Sequence, residues 1–209
     1  MNNPRPEASN LQGRADLDAL AVDQLIARAV SGDQEAFGDV VQAYYNRVYC
    51  VINRIVNHPE DARELTQATW VKAWQRLSEY KHEARFYTWI YRIAVNTALD
   101  FLRKRKRRPE VPLEPETGSD GDVLALDRQR GLADEKTAAD EMRRHEIQET
   151  FDGALAELSA EHRTALVLRE VEGMSYEEIA RVMKSRKGTV MSRIFYARKA
   201  LQKRMEKFL

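Results

Sequence analysis

FYTWIYRIAVNTALDFLRKRKRR, Phe86 to Arg108, is the stretch that decides how the rest of the chain is read. Ile90, Ile93, Ala94, Thr97 and Phe101 recur at the spacing of one apolar stripe, which predicts a helix with one face in a core. Trp89, Arg92, Asn96 and Arg103 are expected near one another on a second stripe, because residues three and four apart are neighbours on a helix surface. The start gathers Phe86, Tyr87, Trp89 and Tyr91, and the end is the cation run Arg103, Lys104, Arg105, Lys106, Arg107 and Arg108. Bases stack on ring faces while phosphates seek positive charge, so this composition suits single-stranded nucleic acid. The plainer alternative is aromatic core packing with a solvated, dipole-complementing cation cap, although the run is longer than capping needs.

Working outward, the rest of the chain also reads as all-α. Leu20, Leu25, Ile26 and Ala29 mark a short helix stopping at Gly32, and Asp33 can cap the next. That second helix is expected to run to about Asn57 on the stripe Phe37, Val40, Val41, Tyr44, Val48, Val51, Ile52 and Ile55. Pro59 breaks it, and a third helix starts at Asp61 or a neighbour and continues to Leu77, with Asp61, Glu64 and Gln67 on its polar side. By itself such a side is a wet helix face.

From Pro109 to about Ala139 the composition changes to prolines, glycines and acids, among them Glu110, Glu114, Glu116, Asp120, Asp122 and Asp127. Few aliphatics and high negative charge mark a flexible linker. It is either a solvated tether or an acidic strand imitating a nucleic-acid backbone. The expected domains are therefore a disordered arm over 1–16, a helical bundle over 17–108, an acidic linker over 109–140 and a second helical domain over 141–209. In that last part Gly173 ends a helix and Ser175 with Glu178 forms an S-x-x-E capping box. A tight break over Ser185–Gly188 precedes a final helix from about Thr189 with the inward stripe Val190, Ile194, Ala197 and Leu201. This is the pattern of a helix-turn-helix whose second member enters the major groove, and equally of a packing hairpin. Its outward residues would be Lys187, Met191, Ser192, Phe195, Tyr196 and Lys199.

Composition narrows the function classes. The 209 residues carry a formal net charge of +1, so charge segregation matters more than total charge. Cys50 is the single cysteine, which excludes an internal disulfide and Cys-based zinc sites and fits a reducing cytosol. The four histidines are scattered without metal-ligand spacing, so no metal and no cofactor is expected. No apolar run is long enough to span a bilayer, and the polar start MNNPRPEASN is unlike a signal peptide, which together predict a cytoplasmic chain. No nucleophile, base and acid set appears, so an enzyme is not expected.

DARELTQATWVKAWQRL (61–77), RFYTWIYRIAVNTALDFLRKRKRR (85–108) and LREVEGMSYEEIARVMKSRKGTVMSRIFYARKAL (168–201), in that order, closely resemble the extracytoplasmic-function (ECF) sigma factors of the sigma-70 family, the sigma-E-like group in particular. The likeness covers about Val22 to Arg108 and Phe151 to Met205. It implies a non-catalytic subunit that binds bacterial core RNA polymerase, reads the −35 and −10 promoter elements and opens the duplex. Asp61, Glu64 and Gln67 would face the clamp helices of the beta-prime subunit, replacing the wet-face reading, with Ala68 standing where the family usually has Glu. Phe86, Tyr87, Trp89, Arg92 and Asn96 would melt and read the −10 element, with Arg103, Lys104, Arg105, Lys106 and Arg107 on phosphates. The second domain would meet the beta flap and the −35 element through Thr189, Met191, Ser192, Phe195, Tyr196, Lys187 and Lys199, while Arg169 and Tyr176 match phosphate-contacting positions. Family members commonly carry cationic residues at the positions of Met191 and Tyr196, so a different −35 sequence is expected here. The resemblance also implies an anti-sigma partner able to hold the chain at the inner membrane face. The rival readings are a stand-alone helix-turn-helix regulator and an anti-sigma-like interaction protein.

Overall fold

The computed structural model describes residues 22–81, 85–107 and 138–208. The N-terminal arm, most of the acidic linker and Arg108 lie outside the described residues. Eight α-helices occupy the described part, and no strand is found among these residues. They are α1 (22–30), α2 (Gln34–Val56), α3 (Pro59–Gln75), α4 (Phe86–Arg107), α5 (Ala138–Glu157), α6 (Ala160–Glu170), α7 (Tyr176–Val182) and α8 (Lys187–Met205).

Local chemistry sets the boundaries. Gly32 takes a φ of 101°, the left-handed conformation that glycine adopts without strain, and α1 ends there. Asp33 then accepts from the Ala36 N–H at 3.0 Å and caps α2 while Arg28 forks onto its other oxygen. The Ala36 bond first, and then the Arg28 fork, hold the Asp33 carboxyl below its ordinary pKa. Asn57 closes α2 in the left-handed region. Pro59 does more than break the run: it is the first residue of α3, where its missing N–H is not needed, and His58 Nδ1 caps the helix by accepting from the Asp61 N–H at 3.3 Å. The third helix therefore starts earlier than Asp61.

Helices α2, α3 and α4 pack on one another around Val40, Val48, Ile52, Ile55, Ala62, Ala73, Ile90 and Ala94. In the second group α8 packs against α5, α6 and α7, burying Leu166, Leu168, Ile179, Val190, Ile194 and Ala197. The two groups are themselves in contact, α6 against α2 and α7 against α4. Buried Arg163 ties α5 to α6 by donating through Nη2 to the carbonyls of Ala156 and Leu158 at 3.1 and 3.2 Å, satisfying acceptors that a helix end leaves open.

Two sequence expectations shift. Residues 138–140, placed in the acidic linker by composition, begin α5, since the alanines there are strong helix formers. Gly188 lies within the first turn of α8 and not in a break, because Lys184 (φ 49°) already turns the chain and Arg186 serves as the N-cap residue. The capping box is formed in both directions. The Glu178 N–H donates to Ser175 Oγ at 3.2 Å, and the Ser175 N–H donates to Glu178 Oε2 at 2.9 Å. Replacing Ser175 by alanine is expected to destabilise the protein by about 1 kcal/mol, seen as a lower urea midpoint at an unchanged slope.

Candidate nucleic-acid interfaces

The helix-turn-helix is built from the inside out. Val190, Ile194, Ala197 and Leu201 recur along one side of α8 and are buried, which forces the intervening residues outward. Met191, Ser192, Phe195, Tyr196 and Lys199 are exposed, as sequence spacing predicted, and so is Thr189. The Phe195 and Tyr196 rings meet edge to face at 5.4 Å, and Ser192 Oγ donates to the Thr189 carbonyl at 2.9 Å. Lys187 is exposed but pairs with Glu177 of α7 at 2.5 Å, which lowers the Glu177 pKa. Arg169 lies over the Tyr176 ring, 4.8 Å from its centroid, and donates to the Met174 carbonyl at 2.7 Å. Those two residues are thus one unit held at the start of α7.

Helix α4 differs from expectation. Trp89 is only 7% exposed and Phe86 is buried beside it, with Tyr80 completing a cluster whose centroids lie 5.5 to 5.7 Å apart. The expected outward edge of Trp89, Arg92, Asn96 and Arg103 is therefore incomplete: Trp89 belongs to the core. Its spacing from Phe86 and Ile93 explains this, because three and four residues apart is also the core spacing. Arg92 and Arg103 are exposed and Asn96 is half-buried, its amide donating to the Arg92 carbonyl. At the basic end Arg103 pairs with Asp100 and Arg105 with Asp61, and Lys104, Lys106 and Arg107 are exposed.

Tyr87 and Tyr91 point from α4 into the second helical group. The Tyr87 hydroxyl donates to Glu178 Oε1 and the Tyr91 hydroxyl donates to Glu172 Oε2, each at 2.5 Å. Burial pushes both phenols above their ordinary pKa, and the facing carboxylates add to it. Burial also raises the Glu172 carboxyl, against the opposing pull of Tyr91, Arg47 and Arg54. At Glu178 burial acts upward, but the bonds from Tyr87 and Ser175 outweigh it and leave the carboxyl below its usual value. Sequence reasoning did not find this contact, since partners more than eighty positions apart carry no periodic signal.

The polar side of α3 divides. Glu64 and Gln67 are exposed, whereas Asp61 is turned to Arg105 at 3.1 Å and lies 3.5 Å from His58. Spacing places Trp74 as partly buried, and it is 39% exposed; with Val71, 57% exposed and not singled out from the sequence, it continues the line 64, 67, 71, 74 at helical spacing. Trp74 leans on Phe37, 4.9 Å between centroids.

Comparison with known proteins shows the family of the chain. The Sigma-70 region 2 family matches residues 40–108 and the Sigma-70 region 4 family matches residues 148–201. The RNA polymerase sigma-H factor of Pseudomonas aeruginosa is 39% identical over 186 residues, spanning 89% of this chain and 94% of that protein. The chain belongs to the sigma-70 family. The sigma factor is also 36% identical to the ECF RNA polymerase sigma-E factor of Haemophilus influenzae, over 90% of this chain and 97% of that one, which places it among the ECF members. In fold it matches the structure of CnrH in complex with the cytosolic domain of CnrY, with a TM-score of 0.60 at 24% identity over 90% of this chain and 98% of that one. As an alternative sigma factor it binds core RNA polymerase and promoter DNA and directs transcription initiation. Its family is one of non-catalytic initiation factors.

Proposed function

We propose that the sigma factor divides its work among three surfaces. The exposed line Glu64, Gln67, Val71 and Trp74 of α3 docks on the beta-prime clamp helices, with Trp74 as the apolar anchor and Asp61 serving mainly to position Arg105. On α4, Phe86 and Trp89 act as a buried scaffold that fixes the entry to the helix. Arg92, Asn96, Arg103 and the exposed cations at 104, 106 and 107 take the opened −10 strand and its phosphates. Helix α8 enters the major groove at −35, with Arg169, Tyr176, Lys187 and Lys199 toward the backbone and Thr189, Met191, Ser192, Phe195 and Tyr196 toward bases. The observation that carries this reading is the sidedness of α8: an unbroken buried stripe on one side, and large side chains and cations left in water on the other.

The contact between the helical groups adds a condition. Elements named −10 and −35 lie about 25 base pairs apart, roughly 85 Å of duplex, whereas Tyr87 of α4 touches Glu178 of α7. Both elements cannot be held in this arrangement, so promoter engagement requires the two groups to separate. A cytoplasmic site of action and restraint by an anti-sigma protein complete the proposal. The similarity to a sigma factor solved with its anti-sigma factor NepR concerns fold alone, at 23% identity and a TM-score of 0.59.

The test is transcription by purified bacterial core polymerase on fragmented genomic DNA with and without the protein, mapping each new start. New starts sharing two upstream elements are expected. Tight core binding without any new start would overturn the promoter-reading part.

A further inference from the structure

On the reading of α8 as the −35 reader, its side chains also identify the chemical group that is read. The outward strip consists of Thr189, Met191, Ser192, Phe195, Tyr196 and Lys199. Met191 is 49% exposed, Phe195 62% and Tyr196 59%, so three large apolar surfaces stand side by side in water. Isolated exposed apolar residues are ordinary, but a contiguous patch marks a surface that is covered in use. Polar functions on the strip are few. The Ser192 hydroxyl is directed into its own helix, Lys199 sits at the far end, and no Arg, Asn, Gln, Asp or Glu occupies the strip. The guanidinium of Arg198 is forked onto Glu170 and Arg193 is half-buried beside the core stripe.

Each base has its own requirement in the major groove. Guanine is read by bidentate Arg or Lys, adenine by Asn or Gln, and cytosine by a carboxylate; thymine alone offers an apolar group, its C5 methyl. A strip with an apolar middle and Lys199 as its one cation, at the far end, matches thymine at its centre. We infer that Met191, Phe195 and Tyr196 read thymine methyl groups, so that this sigma factor's −35 element is specified at its centre by thymine positions. The edge-to-face pair of Phe195 and Tyr196 holds both rings in a fixed relation and gives the methyl groups a preformed apolar surface.

The experiment uses holoenzyme of the full chain with core polymerase, selecting promoters from a pool randomised over the −35 window. Thymines are expected at adjacent positions of the recovered element. Replacing one of them by deoxyuridine removes only the methyl and is expected to weaken holoenzyme binding about fourfold, the worth of one buried methylene-sized group. With Met191→Ala and Phe195→Ala together, deoxyuridine and thymidine promoters should bind alike. Conversely, Met191→Arg with Tyr196→Arg should move the selection toward guanine. A recovered element without thymine, or equal binding of both promoters by the unaltered protein, overturns the inference while leaving −35 reading intact. A window that yields no preferred sequence, with starts still fixed at −10, overturns the reading of α8 on which the inference rests.

Discussion

Replacing Glu172 by lysine is expected to open the free sigma factor. The carboxylate accepts the Tyr91 hydroxyl from α4 and faces Arg47 and Arg54 of α2, so an ammonium in its place loses the bond and meets two like charges. Removing one partner of a part-buried, charge-assisted contact costs on the order of 2 kcal/mol, a shift of roughly thirtyfold toward the separated form. Small-angle scattering should show a larger radius for the lysine variant. Free protein should also bind a single-stranded −10 oligonucleotide at least tenfold more tightly, because α4 is then uncovered. An unchanged radius together with unchanged binding would mean that the contact does not hold the groups together.

The same residue sets a pH dependence. Burial raises the Glu172 carboxyl in the packed arrangement, while in the separated form it returns to the ordinary value of about 4.3. The proton-linked part of its contribution to packing is therefore complete below the ordinary carboxylate range and is lost as pH rises through the raised value, while the ionised carboxylate keeps the Tyr91 bond. Scattering across that window should show separation increasing with pH, and Glu172→Gln, which cannot ionise, should flatten the profile.

The second large effect is expected at Trp74. Truncation to alanine should weaken binding to core polymerase by about 2 kcal/mol or more, roughly thirtyfold, as for a tryptophan at the centre of an interface. Because the ring is 39% exposed and leans on Phe37, the fold should lose much less than that. Fluorescence titration against core polymerase, alongside urea unfolding, separates the two effects. Equal losses in binding and stability would remove Trp74 from the docking surface.

How much of this was legible in the sequence follows the range of each interaction. Val190, Ile194, Ala197 and Leu201 declared both sides of α8, because a helix converts spacing directly into direction. The Ser175 and Glu178 box was readable for the same reason: its partners are three residues apart. Trp89 misled, since its position satisfies the core stripe and the outward edge almost equally and only packing against Tyr80 and Phe86 decides. Trp74 reads from spacing as a partly buried residue of α3, as it is, but that it and Val71 extend the exposed line of Glu64 and Gln67 was not read, because large apolar residues are assigned to a core by default. The pairs Tyr87 with Glu178 and Tyr91 with Glu172 join distant parts of the chain and depend on how the helical groups meet, which no local pattern encodes.

Glu178 spends its two oxygens separately: Oε2 receives the Ser175 N–H and hydroxyl within the cap, and Oε1 receives Tyr87 from across the contact. Withdrawal of Tyr87 leaves every bond of the cap in place, so the start of α7 and the turn into α8 need no reordering when the groups part. The DNA-reading head is thus preorganised before it meets a promoter, and little binding free energy is lost to ordering it. On the proposed separation at promoters, control would act on when the head is available and would leave its selectivity the same in every round of initiation.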